Sequence, residues 1–123
     1  MTTSVNISDA ERIVIESLWV NGSMTADQVA KELSPNNDWS FATIKTLLGR
    51  LLKKKAITAR PEGRRFIYAA KLSRDDYVAA ESQHFVEKLF DGRVAPLVSH
   101  FSQAKGLTKE DIAELRALLD KLP

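Results

Sequence analysis

The sequence contains no cysteine among its 123 residues. Disulfide bonds, thiolate metal sites and cysteine nucleophiles are therefore excluded. No apolar run approaches the roughly 18 residues that a membrane-spanning helix needs. The first residues, MTTSVNISDAE, lack the basic start and the apolar core of a signal peptide. We therefore expect a cytoplasmic protein with no membrane insertion.

Motifs that carry catalytic or metal-binding chemistry are missing as well. The two histidines, His84 and His100, have neither an H-E-x-x-H pattern nor neighbouring cysteines, so no metal site is predicted. The sequence has no Gly-rich phosphate loop and no G-x-S-x-G turn. Acidic pairs at positions 75–76 and 110–111 are typical of helix starts. We predict that the protein is not an enzyme and uses no cofactor.

Acidic residues are scarce between positions 40 and 71. This segment holds nine Lys or Arg and one acid, Glu62, whereas the rest of the chain holds nine basic and fifteen acidic residues. Charged runs are usually only solvated faces, but such segregation of sign within a small protein is less common. It favours a polyanionic partner such as a nucleic acid.

The stretch from Ser40 to Lys55 predicts the helix around which the chain is organised, and Ser40 occupies the N-cap position. Apolar residues recur with helical spacing on one side: Ile44, Leu47, Leu48, Leu51 and Leu52. Small, hydroxyl-bearing or cationic residues occupy the other side: Ala42, Thr43, Lys45, Thr46, Gly49, Arg50 and Lys53. This pattern suits insertion into a DNA major groove. An ordinary amphipathic surface helix fits the same residues equally well, so the neighbouring segments must decide.

Two further helices are predicted before this one. Ser8 to Glu11 has the S-x-x-E form of a capping box, and the helix it starts is ended by Asn21-Gly22. Thr25 to Gln28 is a second capping box, which starts a short helix. Three helices with short connections, the third being long and basic, are typical of a helix-turn-helix domain.

A β-hairpin is predicted directly after the basic helix. The run Ile57–Arg60 is prone to form a strand, residues 61–63 contain proline and glycine, and Arg64–Ala69 alternates between two faces. In this position a hairpin with a basic tip is typical of the wing of a winged helix. A plain hairpin that covers the core is the alternative interpretation.

The chain from Ser73 onward predicts three helices whose apolar stripes need a partner surface. We expect that partner to be a second copy of the chain, with folding back onto the N-terminal part as the alternative. The residues expected at the dimer interface are Val78, Phe85, Leu89, Leu97, Phe101, Leu107, Ile112, Leu115, Leu118 and Leu119. The predicted fold is mainly α (α+β), with a winged helix-turn-helix DNA-binding domain over residues 1–71 and a C-terminal three-helix dimerisation domain over residues 72–123.

Several motifs together resemble the BlaI/MecI penicillinase-repressor family. They are SDAE and LW near the start, W-S-x-x-T-I-K-T-L-L-x-R-L-x-K-K (Trp39–Lys54), EGRRFIY (Glu62–Tyr68), LFDG and LVSHF. The resemblance extends from about Ile7 to Leu119. It implies a dimeric winged-helix repressor of bacterial resistance or stress operons that binds inverted repeats with TACA/TGTA-like half-sites.

The predicted DNA-binding residues lie on the basic helix and the wing: Ser40, Ala42, Thr43, Lys45, Thr46, Arg50, Lys53, Arg64 and Arg65. Lys45 and Thr46 are assigned to base edges, because their side chains can reach the bases from the helix. The longer cations on the helix and wing, together with Ser40, are assigned to phosphates. A winged-helix module that binds another protein, with an incidental basic face, is the alternative function.

The chain departs from the family pattern at three places. Relatives that respond to β-lactams through a membrane sensor protease are cleaved between Asn and Phe, and the matching bond here is His100–Phe101, with His in place of Asn. The copper-responsive branch has C-terminal cysteines, which this chain lacks. Lys55 stands where relatives usually have Gly at the helix end, and a left-handed conformation there costs Lys roughly 1 kcal/mol more than Gly.

Overall fold

The computed structural model describes residues 6–104 and 106–123. The elements in chain order are α1 (Asp9–Asn21), α2 (Ala26–Leu33), α3 (Phe41–Lys53), β1 (Ile57–Glu62), β2 (Arg65–Ala70), α4 (Arg74–Phe90), α5 (Val94–Gln103) and α6 (Lys109–Asp120). The chain divides into two compact units, of which the first ends at Ala80 and the second begins at Glu81. No helix among the described residues is long and apolar enough to cross a membrane.

Both predicted capping boxes form at the helix starts. In α1 the Glu11 N–H donates to Ser8 Oγ at 3.2 Å, and the Ser8 N–H donates to Glu11 Oε1 at 2.8 Å. In α2 Thr25 and Gln28 exchange the equivalent bonds at 3.2 and 2.8 Å. Each box satisfies amides that the first helical turn leaves without a partner. These local signals therefore fix where α1 and α2 begin.

The apolar side of α3 forms the centre of the core. Ile44, Leu48 and Leu51 are fully buried and Leu47 nearly so, while Leu52 is partly buried. They pack in one cluster with buried residues of the other elements, namely Val14, Ile15 and Leu18 of α1, Val29 of α2, and Ile57 and Tyr68 of the hairpin. Burying each such side chain stabilises the fold by about 1.5–3 kcal/mol. The predicted amphipathicity of α3 is confirmed, and its burial directs the opposite side to solvent.

The hairpin is longer and its turn tighter than predicted. The strands pair from Ile57 with Ala70 to Glu62 with Arg65, which leaves only Gly63 and Arg64 in the loop. Gly63 has a φ of 64°, a conformation that allows a two-residue turn and favours glycine. The turn therefore contains Gly63, whereas residues 61 and 62 belong to β1. A proline at position 61 is tolerated within β1 because it lies in a hairpin strand at the sheet edge.

A backbone bridge connects the wing to the segment between α1 and α2. The Met24 N–H donates to Tyr68 O at 3.0 Å, and the Tyr68 N–H donates to Met24 O at 2.8 Å. Both residues are buried in the core. The bridge gives β2 a pairing partner on its second edge and fixes the wing beside the helices.

The first turns of α4 pack against α1 within the first unit. The Trp19 indole N–H donates to Leu72 O at 2.8 Å, and the rings of Trp19 and Tyr77 lie 5.6 Å apart. Arg74 Nε donates to Glu16 Oε1 at 3.2 Å. The first compact unit therefore includes the start of α4. The domain boundary expected between residues 71 and 72 concerns independent folding and stays a prediction.

None of the described residues in α4, α5 and α6 is buried. Of the expected interface residues, seven are exposed: Val78, Phe85, Leu89, Phe101, Ile112, Leu118 and Leu119. Leu97, Leu107 and Leu115 are partly buried. In a single copy of the chain, the apolar stripes of α4, α5 and α6 are therefore largely exposed to water.

Candidate nucleic-acid interface

The start of α3 is organised by two hydroxyl groups. Ser40 Oγ accepts a hydrogen bond from the Thr43 N–H at 3.1 Å, so Ser40 is the N-cap as predicted. The hydroxyls of Ser40 and Thr43 also lie 3.1 Å apart, and one donates to the other. The second hydroxyl proton is left for an acceptor outside the helix. The pair therefore suits contact with an anion at the helix start, where the helix dipole also favours negative charge.

The solvent side of α3 carries cations and no acid. Lys45, Thr46, Arg50 and Lys53 are exposed, and the small residues Ala42 and Gly49 lie among them. In the part of the chain that the structure describes, none of these three cations forms an ion pair. Their charge therefore remains available for a ligand along the whole exposed side.

The wing adds two more cations beside α3. Arg64 lies in the turn and Arg65 begins β2, and both are exposed. Glu62, the one acid of the basic segment, faces Arg60 across 3.5 Å. An exposed pair of this kind contributes only about 0–1 kcal/mol. Because Glu62 pairs with Arg60, neither Arg64 nor Arg65 has an acidic partner among the described residues.

Lys54 belongs to the basic segment but makes a structural ion pair. Its Nζ lies 2.5 Å from Glu11 Oε1 and donates to Asn6 O at 2.7 Å. Burial would raise the pKa of the Glu11 carboxyl, but hydrogen bonds from Lys54 and Ser8 and the charge of Lys54 together lower that pKa below its ordinary value. Lys54 thus joins the end of α3 to the start of α1. Nothing in the sequence pattern of the basic segment distinguishes Lys54 from the cations that remain free of ion pairs among the described residues.

The helix α3 is terminated by a lysine in the left-handed backbone conformation. Lys55, at the position where relatives usually have glycine, has a φ of 63°. The Lys55 N–H donates to Leu52 O and the Ala56 N–H to Leu51 O, each at 3.0 Å. These are the bonds of a Schellman motif, in which glycine is the usual left-handed residue. The bonds satisfy the final carbonyls and hold Lys55 in this conformation.

A hollow lies between the starts of α2 and α3 and the wing, and we call it the wing hollow. It is lined by Thr25, Ala26, Asp27, Phe41, Lys45, Arg64, Arg65, Phe66 and Tyr68. It brings together three of the predicted DNA-binding residues, from two elements. The sequence does not distinguish Phe41, Phe66 and Asp27 as site residues, because exposed and buried phenylalanines fit the same pattern and Asp27 is typical of a helix start.

Comparison with known proteins assigns the chain to a family. The family model described as penicillinase repressor matches residues 7–121. The chain belongs to the penicillinase repressor family. The penicillinase repressor of Bacillus licheniformis is 36% identical over 115 residues, covering 94% of this chain and 90% of that protein. The methicillin resistance regulatory protein MecI of Staphylococcus aureus (strain N315) is 32% identical over 115 residues, covering 94% of each. The resemblance to the BlaI/MecI family is thereby confirmed.

A solved structure supports the same assignment. The monomeric form of Bacillus licheniformis BlaI, in complex with the blaP half-operator, is 42% identical and has a TM-score of 0.55. The match covers 63% of this chain and 94% of that chain. The expected fold class, mainly α with a winged helix-turn-helix, is confirmed. Because the family consists of transcriptional repressors, the expectation that this protein is not an enzyme is confirmed as well.

Proposed function

We propose that this member of the penicillinase repressor family represses transcription by binding, as a homodimer, to inverted-repeat operators in double-stranded DNA. The observation that carries the proposal is the solvent side of α3, which has three exposed cations, no acid and no ion pair among the described residues. The complex of a relative with its half-operator supports it. Side chains on α3 would read base edges in the major groove, and wing cations would hold phosphates.

The proposed homodimer rests on the second unit. Its helices contain no buried residue among those described, and the apolar side chains of Leu89, Leu118 and Leu119 are more than half exposed. Apolar stripes of this extent on a small unit are typical of an interface with another chain. A second copy presents the same stripes and therefore matches them. Two recognition helices related by twofold symmetry then fit an inverted repeat.

Release of repression by a membrane sensor protease is the regulatory part of the proposal. The candidate bond His100–Phe101 lies inside α5, and both residues are exposed. Cleavage there would separate α6 and the end of α5 from the rest of the proposed dimer region. Incubation of cells with a β-lactam, followed by immunoblotting for the shortened chain, tests this part. An intact chain under induction would contradict it and leave DNA binding unaffected.

Binding to the promoter of its own operon tests the main proposal. If the dimer contacts roughly 6–10 phosphates, affinity should fall on the order of 10³–10⁵-fold between 50 and 200 mM salt. A gel shift or fluorescence anisotropy titration measures this. Weak binding with a flat salt response would instead favour a winged-helix protein-interaction module. The promoter that binds most tightly identifies the regulated genes, which we expect to be a β-lactam-resistance or stress operon.

A further inference from the structure

Two phenylalanine side chains of the first unit remain about half exposed. Phe41, the first residue of α3, is 47% exposed, and Phe66 in β2 is 51% exposed. Single exposed apolar side chains are common on protein surfaces and need no explanation. These two come from different elements, however, and both line the wing hollow. The exposed surface of both phenylalanines is therefore concentrated in the wing hollow, beside α3.

The same hollow concentrates positive charge. Lys45, Arg64 and Arg65 line it, and none of them has an ion pair within the described part of the chain. One acid, Asp27, lines it from the start of α2. The hollow thus offers three cations against one carboxylate, next to two aromatic rings. This combination suits a ligand that is anionic at one end and apolar at the other.

We propose that the wing hollow binds one sugar–phosphate unit of the operator backbone. Lys45, Arg64 and Arg65 hold the phosphate, and the rings of Phe41 and Phe66 lie against the carbon-bound hydrogens of the deoxyribose. The proposal rests on the proposed function and deepens it. Lys45 belongs both to the lining of the hollow and to the basic side of α3, so DNA that occupies that side lies beside the hollow. Lys45 is then a phosphate ligand, in place of the base contact assigned from sequence.

The proposal divides the binding free energy into two measurable parts. Phosphate neutralisation by Arg65 or Lys45 releases counterions and depends on salt. Contact between a ring and a sugar releases no counterion, so its contribution is independent of salt. Neither part depends on sequence, because sugar and phosphate are the same at every base pair.

The protein side of the test compares alanine variants of the full-length chain over a salt series. The plot of log K against log [salt] has a negative slope, and Arg65→Ala should make it shallower by about 1 per half-site. Phe41→Ala and Phe66→Ala should weaken binding severalfold to operator and unrelated DNA alike, with the slope unchanged. Val20→Ala is the matched control, because Val20 is 78% exposed but does not line the hollow. It should bind like the parent protein.

Asp27 supplies a variant that should gain affinity. Its carboxylate repels a phosphate in the hollow, so Asp27→Asn should tighten binding roughly 2- to 10-fold at low salt. Gain is a stronger test than loss, because a misfolded variant cannot produce it. Unchanged or weaker binding by a folded Asp27→Asn chain would count against a phosphate at this place.

The DNA side of the test changes the operator and compares the parent protein with the same alanine variants. Single methylphosphonates, which remove one backbone charge, are placed along each operator half-site. One position should weaken the parent protein, and the same position should weaken Arg65→Ala much less. Replacement of thymine by uracil removes the methyl group, and it should not alter the effect of Phe41→Ala or Phe66→Ala.

Besides the result named for Asp27→Asn, three results would overturn the proposal. The first is that Phe41→Ala and Phe66→Ala bind DNA like the parent protein. The second is that Arg65→Ala changes the effect of no methylphosphonate position. The third is that the effects of the phenylalanine variants disappear when thymine is replaced by uracil. The last result assigns the rings to base reading. If the parent protein binds DNA with a steep salt dependence and any of these results is obtained, the sugar–phosphate site fails alone. If the parent binds no DNA, the proposed function fails with it.

Discussion

Lys54 shows that a cation in a basic segment need not belong to its binding face. Its ammonium group contacts the buried carboxylate of Glu11, which is 2% exposed, and the carbonyl of Asn6. Because the lysine is partly solvated, the cost of burying charge falls mainly on Glu11. The capping bond from Ser8 and the bonds from Lys54 offset that cost. The pair therefore supports the packing of α1 against the end of α3.

The lowered pKa of Glu11 predicts the sign of an acid destabilisation. In the unfolded chain a glutamate titrates at about 4.3, and in the folded chain Glu11 titrates below its ordinary value. Its contribution to stability is complete above the unfolded pKa and is lost as pH falls through the folded pKa. Glu11→Gln keeps the acceptor for Ser8 but loses the charge, so it should cost about 1–3 kcal/mol at pH 7.

Urea unfolding between neutral and acid pH measures this effect. The difference between the parent and Glu11→Gln should shrink as the pH falls below about 4. Glu16→Gln is the control, because Glu16 pairs with Arg74 at an exposed site and should change stability by about 0–1 kcal/mol. A constant difference at every pH would show that the Glu11 charge is not the cause.

Lys55 predicts a stabilising substitution. Its positive φ is a conformation that glycine adopts without strain. Lys55→Gly should therefore stabilise the fold by up to about 1 kcal/mol, less the extra entropy of the unfolded glycine. Lys53→Gly, two residues earlier within α3, should destabilise by about 0.5–1 kcal/mol. Urea midpoints of both variants check the opposite signs, and equal signs would contradict the argument.

At the scale of the element, α3 and the wing should contribute different kinds of DNA binding. Thr46 lies in the middle of the exposed side of α3, whereas Arg64 lies in the wing turn. Thr46→Ala should cost about 1–3 kcal/mol on the operator and little on unrelated DNA. Arg64→Ala should weaken both and lower the salt slope by about 1 per half-site. Anisotropy titrations with both DNAs separate the two, and equal loss of specificity in both variants would refute the division.

The helices could be predicted from sequence because their signals are local. Ser8, Thr25 and Ser40 each cap a helix through residues three positions away, and the apolar period of α3 states which side is buried. The bridge between Met24 and Tyr68 could not be predicted, because the two residues are far apart in sequence and nothing local specifies their pairing.

The candidate site was predicted unevenly for the same reason. The charged and hydroxyl residues of α3 follow from helical spacing, whereas the wing hollow exists only once α2, α3 and β2 are packed together. Phe41 and Phe66 match the core pattern in sequence, and only their exposure in the folded chain distinguishes them. The DNA contacts themselves stay predictions.

At the scale of the whole molecule, the first unit should fold and remain monomeric without the second. A chain ending at Ala80 keeps the packing of Trp19 on Leu72 and Tyr77, whereas one ending at Lys71 loses it. We expect the longer fragment to melt at a higher temperature. Both should be monomers with much weaker operator binding than the full chain. Thermal unfolding and analytical ultracentrifugation test this, and a dimeric fragment would contradict the proposed interface.

If the helices of the second unit form the proposed dimer, the stability of the protein depends on its own abundance. The helices of the second unit have no buried residue of their own, so in the proposed dimer they would gain most of their burial on association, and folding would be linked to dimerisation by mass action. Dilution of the proposed dimer would therefore remove packing together with the partner, and the separated copies would expose their helices to cellular proteases. A cell that lowers synthesis of the repressor slightly should lose operator occupancy more than in proportion. Repression then responds to copy number as a threshold.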